Sequence, residues 1–100
     1  MLEINTDSLS KEQLKFAKWL NKNMPFLTKL FDFKNRSYKV EMVDNYLKTA
    51  SGSELLMAKF ALAVWEHDDN FDFNFIDAVK VLDDKHIKVV TDWMQDPFWP

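Results

Sequence analysis

The acidic run Glu66-His67-Asp68-Asp69-Asn70, with Asp72 close behind it, is the one concentration of potential metal ligands in the sequence. Carboxylate oxygens and an imidazole can hold a divalent cation or move a proton as acid and base. The groups that could do so are His67, Asp68, Asp69 and Asp72, and the function would be a metal-dependent hydrolase or a metal binder using residues 66–72. The spacing argues against it. A calcium loop wants a glycine at its sixth position, and a helical zinc site wants two histidines four residues apart. The same residue types build an ordinary solvated turn between helices, and that is the favoured reading. No metal and no cofactor are therefore expected. The second histidine, His86, stands near the start of the last helix and is expected to be structural.

Lys11, Lys15, Lys18 and Lys22 recur at three- and four-residue intervals. On a helix that turns about 100° per residue they form one stripe, with Trp19 to one side. Such a face can meet phosphates, an anionic membrane surface or an acidic protein. Four lysines without an arginine, on a chain of net charge −3, make a poor footprint for nucleic acid. The last two helices could imitate a helix-turn-helix, but the second would carry Asp84, Asp92 and Asp96 against Lys85 and Lys88, the wrong sign for reading a groove. Ser51-Gly52-Ser53 sits where a helix N-terminus could bind an anion, yet it lacks the further glycine and the lysine of a phosphate loop. It is expected to cap a helix and no more.

Nine Phe, four Trp and two Tyr in 100 residues are more aromatic surface than a domain of this size buries easily. Trp93, Phe98 and Trp99 are the best candidates for a place in a protein interface, where such side chains carry much of the binding energy. The ending Phe98-Trp99-Pro100 is too apolar for a free tail and is expected to fold back into a groove between helices.

The elements that must position these groups follow from caps and periodicity. Ser10-Lys11-Glu12-Gln13 has the spacing of a capping box, and Leu9 can staple onto Leu14, so a first helix is expected over about 11–23. Its apolar side is Leu14, Phe16, Ala17, Leu20 and Met24. Pro25 ends it and opens a short second helix, Pro25 to Phe31, with Phe26, Leu27, Leu30 and Phe31 inward. Residues 32–37 read as a loop. Tyr38 to Val43 alternates like a strand, but Val43, Tyr46, Leu47 and Ala50 continue at helical spacing and no second strand is evident, so helix is preferred.

Ser51-Gly52-Ser53-Glu54 is a second capping-box pattern, and Leu55 to Trp65 is apolar throughout except at Lys59. A helix apolar nearly all round belongs at the centre of a fold. After the turn at His67, Asn74 caps a helix whose inner stripe is expected to be Phe75, Ile76, Val79 and Leu82, with Phe73 stapled onto Ala78. Asp83 or Asp84 caps the last helix, lined by Ile87, Val90, Trp93 and Met94 and stopped at Asp96-Pro97.

The expected fold is all-α, a single domain over 1–100 formed as an irregular bundle of five or six short helices around the apolar helix at about 53–66. With 47% apolar and 29% charged residues and one glycine, the chain has neither a disordered composition nor a flexible linker. The absence of cysteine excludes disulfides and thiolate chemistry. The N-terminus lacks a basic and then apolar leader, and the apolar run Phe60 to Trp65 is far too short to span a bilayer, so a cytoplasmic protein without membrane association is expected. Charge is uneven: residues 1–65 hold ten Lys or Arg against seven acids, and residues 66–100 hold three Lys against nine acids. These readings converge on a small non-enzymatic protein–protein interaction domain of adaptor or regulatory type. Its partner would be another protein or a second copy of itself, and its interaction candidates are Lys11, Lys15, Lys18, Lys22, Trp19, Trp93, Phe98 and Trp99. The metal-dependent activity of residues 66–72 is the first alternative. Weak nucleic-acid binding through the lysine stripe is the second, and an unfavoured one.

Overall fold

The structure, a computed structural model, describes residues 9–100. Helix α1 (Lys11–Asn23) begins where its capping box sets it: Ser10 Oγ accepts the Gln13 amide at 3.1 Å, and Gln13 Oε1 accepts the Ser10 amide at 3.2 Å. Phe16, Ala17 and Leu20 are fully buried, and Met24 just beyond the helix joins them. Pro25 then starts a 3-10 helix, Pro25–Leu30, which buries Leu27, Thr28 and Leu30; the Thr28 hydroxyl is satisfied by donating to the Pro25 carbonyl at 2.8 Å.

The stretch expected to be a plain loop holds a miniature antiparallel hairpin. Strands β1 (Phe31–Asp32) and β2 (Ser37–Tyr38) pair Phe31 with Tyr38 and Asp32 with Ser37, around a short 3-10 turn, Phe33–Asn35. Asp32 closes the turn: one carboxylate oxygen accepts the Asn35 amide at 3.2 Å and the other its side-chain N–H at 2.7 Å, while Arg36 takes the left-handed conformation at φ 54°. Two-residue strands leave no period to read, which is why the sequence shows only a loop. Tyr38 belongs to β2, and helical spacing then prevails in α2 (Val40–Thr49).

Helix α3 (Gly52–Glu66) is the centre of the fold, with Leu56, Met57, Ala58, Phe60, Ala61, Leu62 and Val64 buried. Its anticipated capping box does not form. Gly52 sits at φ 61°, outside the helical basin, so Ser51 Oγ caps nothing, and Glu54 instead accepts the Tyr46 hydroxyl at 3.3 Å. Burial, followed by the nearby Glu54 charge and this bond, pushes the Tyr46 hydroxyl up to about 12, because all three disfavour a phenolate.

Helix α4 (Phe75–Val81) is capped by Asn74 Oδ1, which accepts the amides of Ile76 and Asp77 at 2.8 and 3.1 Å. Asp83 caps α5 (Asp84–Gln95) through the His86 amide at 2.9 Å. The His86 ring is structural in placement, with Nδ1 3.0 Å from Asp83 Oδ1 and its plane edge-on to Phe26. The α1, α3 and C-terminal regions share one aromatic core: Phe16 meets Trp19, Phe31, Phe33 and Trp65, and Phe60 meets Trp19, Phe73 and Trp93, all with ring centroids 5.1–6.4 Å apart. A radius of gyration of 12.8 Å is that of a compact chain of this length.

One face departs from the pattern read in the sequence. Of the stripe expected to point inward from α4, only Leu82 is buried; Phe75 is 52%, Ile76 65% and Val79 73% exposed, and the residue that meets the core is Ala78. Asp77 and Lys80 take one side of this seven-residue helix, and the apolar residues fill so wide an arc of the rest that periodicity does not single out which of them face inward. The small side chain decides: α4 packs on α3, and Ala78 permits the close approach that Ile76 or Val79 would prevent.

Candidate functional site

Phe75, at the start of α4, lines a cleft. Its floor is Phe60, Ala63 and Val64 of α3; Phe73 and Phe75 form one wall, and Trp93, Met94 and Trp99 the other. His67, Asp68 and Asp69 make its polar end. The space is about 260 Å³ and lined mainly by apolar atoms.

Each wall is held by the local structure. His67 ends α3 in the left-handed conformation at φ 60°, which turns the chain sharply toward α4. Asp69 then accepts the Phe73 amide at 2.7 Å, fixing the approach to Asn74, and Phe73 lies edge-on to Phe75 at 5.3 Å. Opposite, α5 ends at Asp96 and the tail folds back as the sequence implies. Trp93 Nε1 donates to the Phe98 carbonyl at 3.2 Å, and Phe98 is buried edge-on against Trp19 of α1. This bend leaves Trp99 half exposed at the mouth of the cleft, between Trp93 at 5.2 Å and His67 at 5.3 Å.

No known family model matches the chain, and no curated protein or solved structure matches it either. The functional reading rests on this geometry alone.

The acidic turn supplies part of the cleft without assembling a metal site. Among the described residues, no three His, Asp or Glu side chains come together to hold an ion. His67 is turned toward the tail, with Nε2 3.2 Å from the Pro100 carbonyl oxygen, so the tautomer protonated there donates to it. Asp69 is engaged with the Phe73 amide, and Asp72 sits at φ 59°. His67 and Asp69 fix the turn and the tail, and Asp68 and Asp69 place their carboxylates at the polar end of the apolar cleft.

The lysine stripe lies elsewhere. Lys11, Lys15, Lys18 and Lys22 are all exposed on α1, and Lys15 Nζ stands 5.0 Å from the centre of the Phe98 ring, over the returning tail. Lys22 meets Lys85 and Lys88 of α5 around a groove of about 420 Å³ beside Trp19, where Lys88 pairs with Asp92 at 2.9 Å. The two lysines of α5, assigned in the sequence to the acidic end of the chain, thus join the basic face in space. Of the aromatic candidates, Trp19, Trp93 and Phe98 turn inward and only Trp99 is substantially exposed. The residues missed are Phe75, Ile76, Val79 and Met94, all at least half exposed. Ala78, the one small residue among large apolar neighbours of α4, marks the buried side only once the packing on α3 is known.

Among the described residues, no helix is long and apolar enough to cross a membrane.

Proposed function

We propose that the chain is a non-enzymatic docking domain that binds another protein by receiving one large apolar side chain of that partner in the cleft between α3, α4 and α5. The observation that carries this reading is that Phe75, Met94 and Trp99, each about half exposed, line the cleft, and that Ile76 and Val79, more exposed still, follow Phe75 on the same helix. Single exposed apolar residues are common on soluble proteins, whereas a contiguous set rimmed by polar groups marks an interaction surface. The size of the cleft sets the scale of its occupant. A volume of about 260 Å³ lies below the roughly 300–1,000 Å³ of pockets for drug-sized ligands and suits one anchoring side chain. Aromatic walls around such an anchor are the arrangement that concentrates binding energy in interfaces.

The test is site-specific photo-cross-linking in cells of the native source, with the photoreactive residue at Ile76 or, as a control, at Lys18. The expected result is a discrete heterologous adduct from position 76 that is absent from position 18 and disappears when Val79→Gln is added. Adducts of equal yield from both positions, or none from position 76, would contradict the reading.

A further inference from the structure

We infer that the segment seated in the cleft is basic, a stretch of another protein in which lysines or arginines flank the apolar anchor. This rests on the docking reading above and adds the charge of the partner to it. Asp68 and Asp69 line the cleft itself, and Asp72 belongs to the same exposed turn. Among the described residues the ion pairs are His86 with Asp83 and Lys88 with Asp92, so none of these three carboxylates is neutralised by a cation. Asp69 uses one oxygen on the Phe73 amide and keeps the other for a ligand. Of the three lysines in residues 66–100, Lys85 and Lys88 line the separate groove beside Trp19, and Lys80 is exposed on α4 without lining the cleft.

The cleft is therefore an apolar floor with a negative edge formed by Asp68 and Asp69. Such an edge attracts a basic segment during encounter and rejects an acidic one. A second copy of the chain is a poor occupant. Pairing the two α4 faces about a two-fold axis would set the same acids against each other, and the basic face of α1 offers no apolar anchor because Trp19 is packed on Phe98 and Phe60.

The experiment pans a random dodecapeptide phage library on the immobilised full chain. Enriched sequences are then measured as fluorescein-labelled peptides by anisotropy. The expected peptides carry an aromatic residue or leucine flanked by at least two Lys or Arg. Their affinity should fall about fivefold with Asp68→Lys, and further as salt rises from about 50 to about 500 mM. The Ile76→Gln/Val79→Gln double variant, checked for an unchanged thermal melt, should weaken binding at least about tenfold. Neutral or acidic peptides that still depend on Ile76 and Val79 would overturn the basic partner and leave the docking site standing. Peptides indifferent to the double variant, or no enrichment at all, would overturn both. Enriched peptides that match the chain's own sequence would reassign the cleft to self-association and overturn the heterologous partner.

Discussion

Ser10 and Ser51 stand in equivalent sequence patterns and do different things. Ser10 Oγ holds the Gln13 amide, whereas Ser51 Oγ holds none because Gly52 leaves the helical basin. Replacing Ser10 by alanine should therefore cost about 1 kcal/mol in urea unfolding, and Ser51→Ala only a few tenths. Tyr46 gives a pH-dependent contrast. Its hydroxyl is raised from 10.0 to about 12 in the folded chain, so the folded state holds the proton more tightly than the unfolded one. The stability this confers is complete below pH 10 and is lost as pH rises toward 12. The Tyr46→Phe variant should show a shallower loss than the wild type between those values, measured as denaturation midpoint against pH. Parallel curves would mean that folding does not raise the Tyr46 hydroxyl. The difference between the serines was not legible from the motif, because a capping box depends on backbone angles that its four letters do not specify.

Elements with long periodic patterns were legible to their ends. α1 runs over the expected residues, the central apolar helix lies within one residue of its expected start, and the tail folds back on Trp19. The hairpin at Phe31–Tyr38 and the orientation of α4 were not. The first is too short for a period, and the second has an apolar arc too wide to single out an inward face, so its facing is settled by fit against α3 at Ala78. One substitution separates the observed orientation from the expected one. Val79→Gln should stay within about 0.5 kcal/mol of the wild type, whereas Leu82→Ala, buried in either orientation, should cost about 2–3 kcal/mol and serves as the reference. A large loss at Val79 in chemical denaturation would mean that α4 buries its other side.

At the scale of the whole molecule, the division of charge along the sequence becomes a division of surfaces with different boundaries. Lys85 and Lys88 leave the acidic end to meet Lys22 beside Trp19, while Asp68 and Asp69 line the separate apolar cleft. The candidate site was half legible for this reason. The acidic turn and Trp99 were singled out from sequence, but only folding shows that they share a cleft with Phe75 of α4. If that cleft receives a different protein, the chain alone should sediment as a monomer of 11.9 kDa at micromolar concentration. A dimer dispersed by Ile76→Gln/Val79→Gln would assign the face to self-association instead.

The most direct test of the docking surface is a solution NMR titration of the methyl- and amide-labelled chain with the partner identified by cross-linking. The account predicts shift changes confined to Ala63, Val64, the turn at residues 67–73, Phe75, Ile76, Val79, Met94 and Trp99, with α1 unperturbed. Changes centred on Lys11, Lys15, Lys18 and Lys22, with the cleft silent, would contradict it.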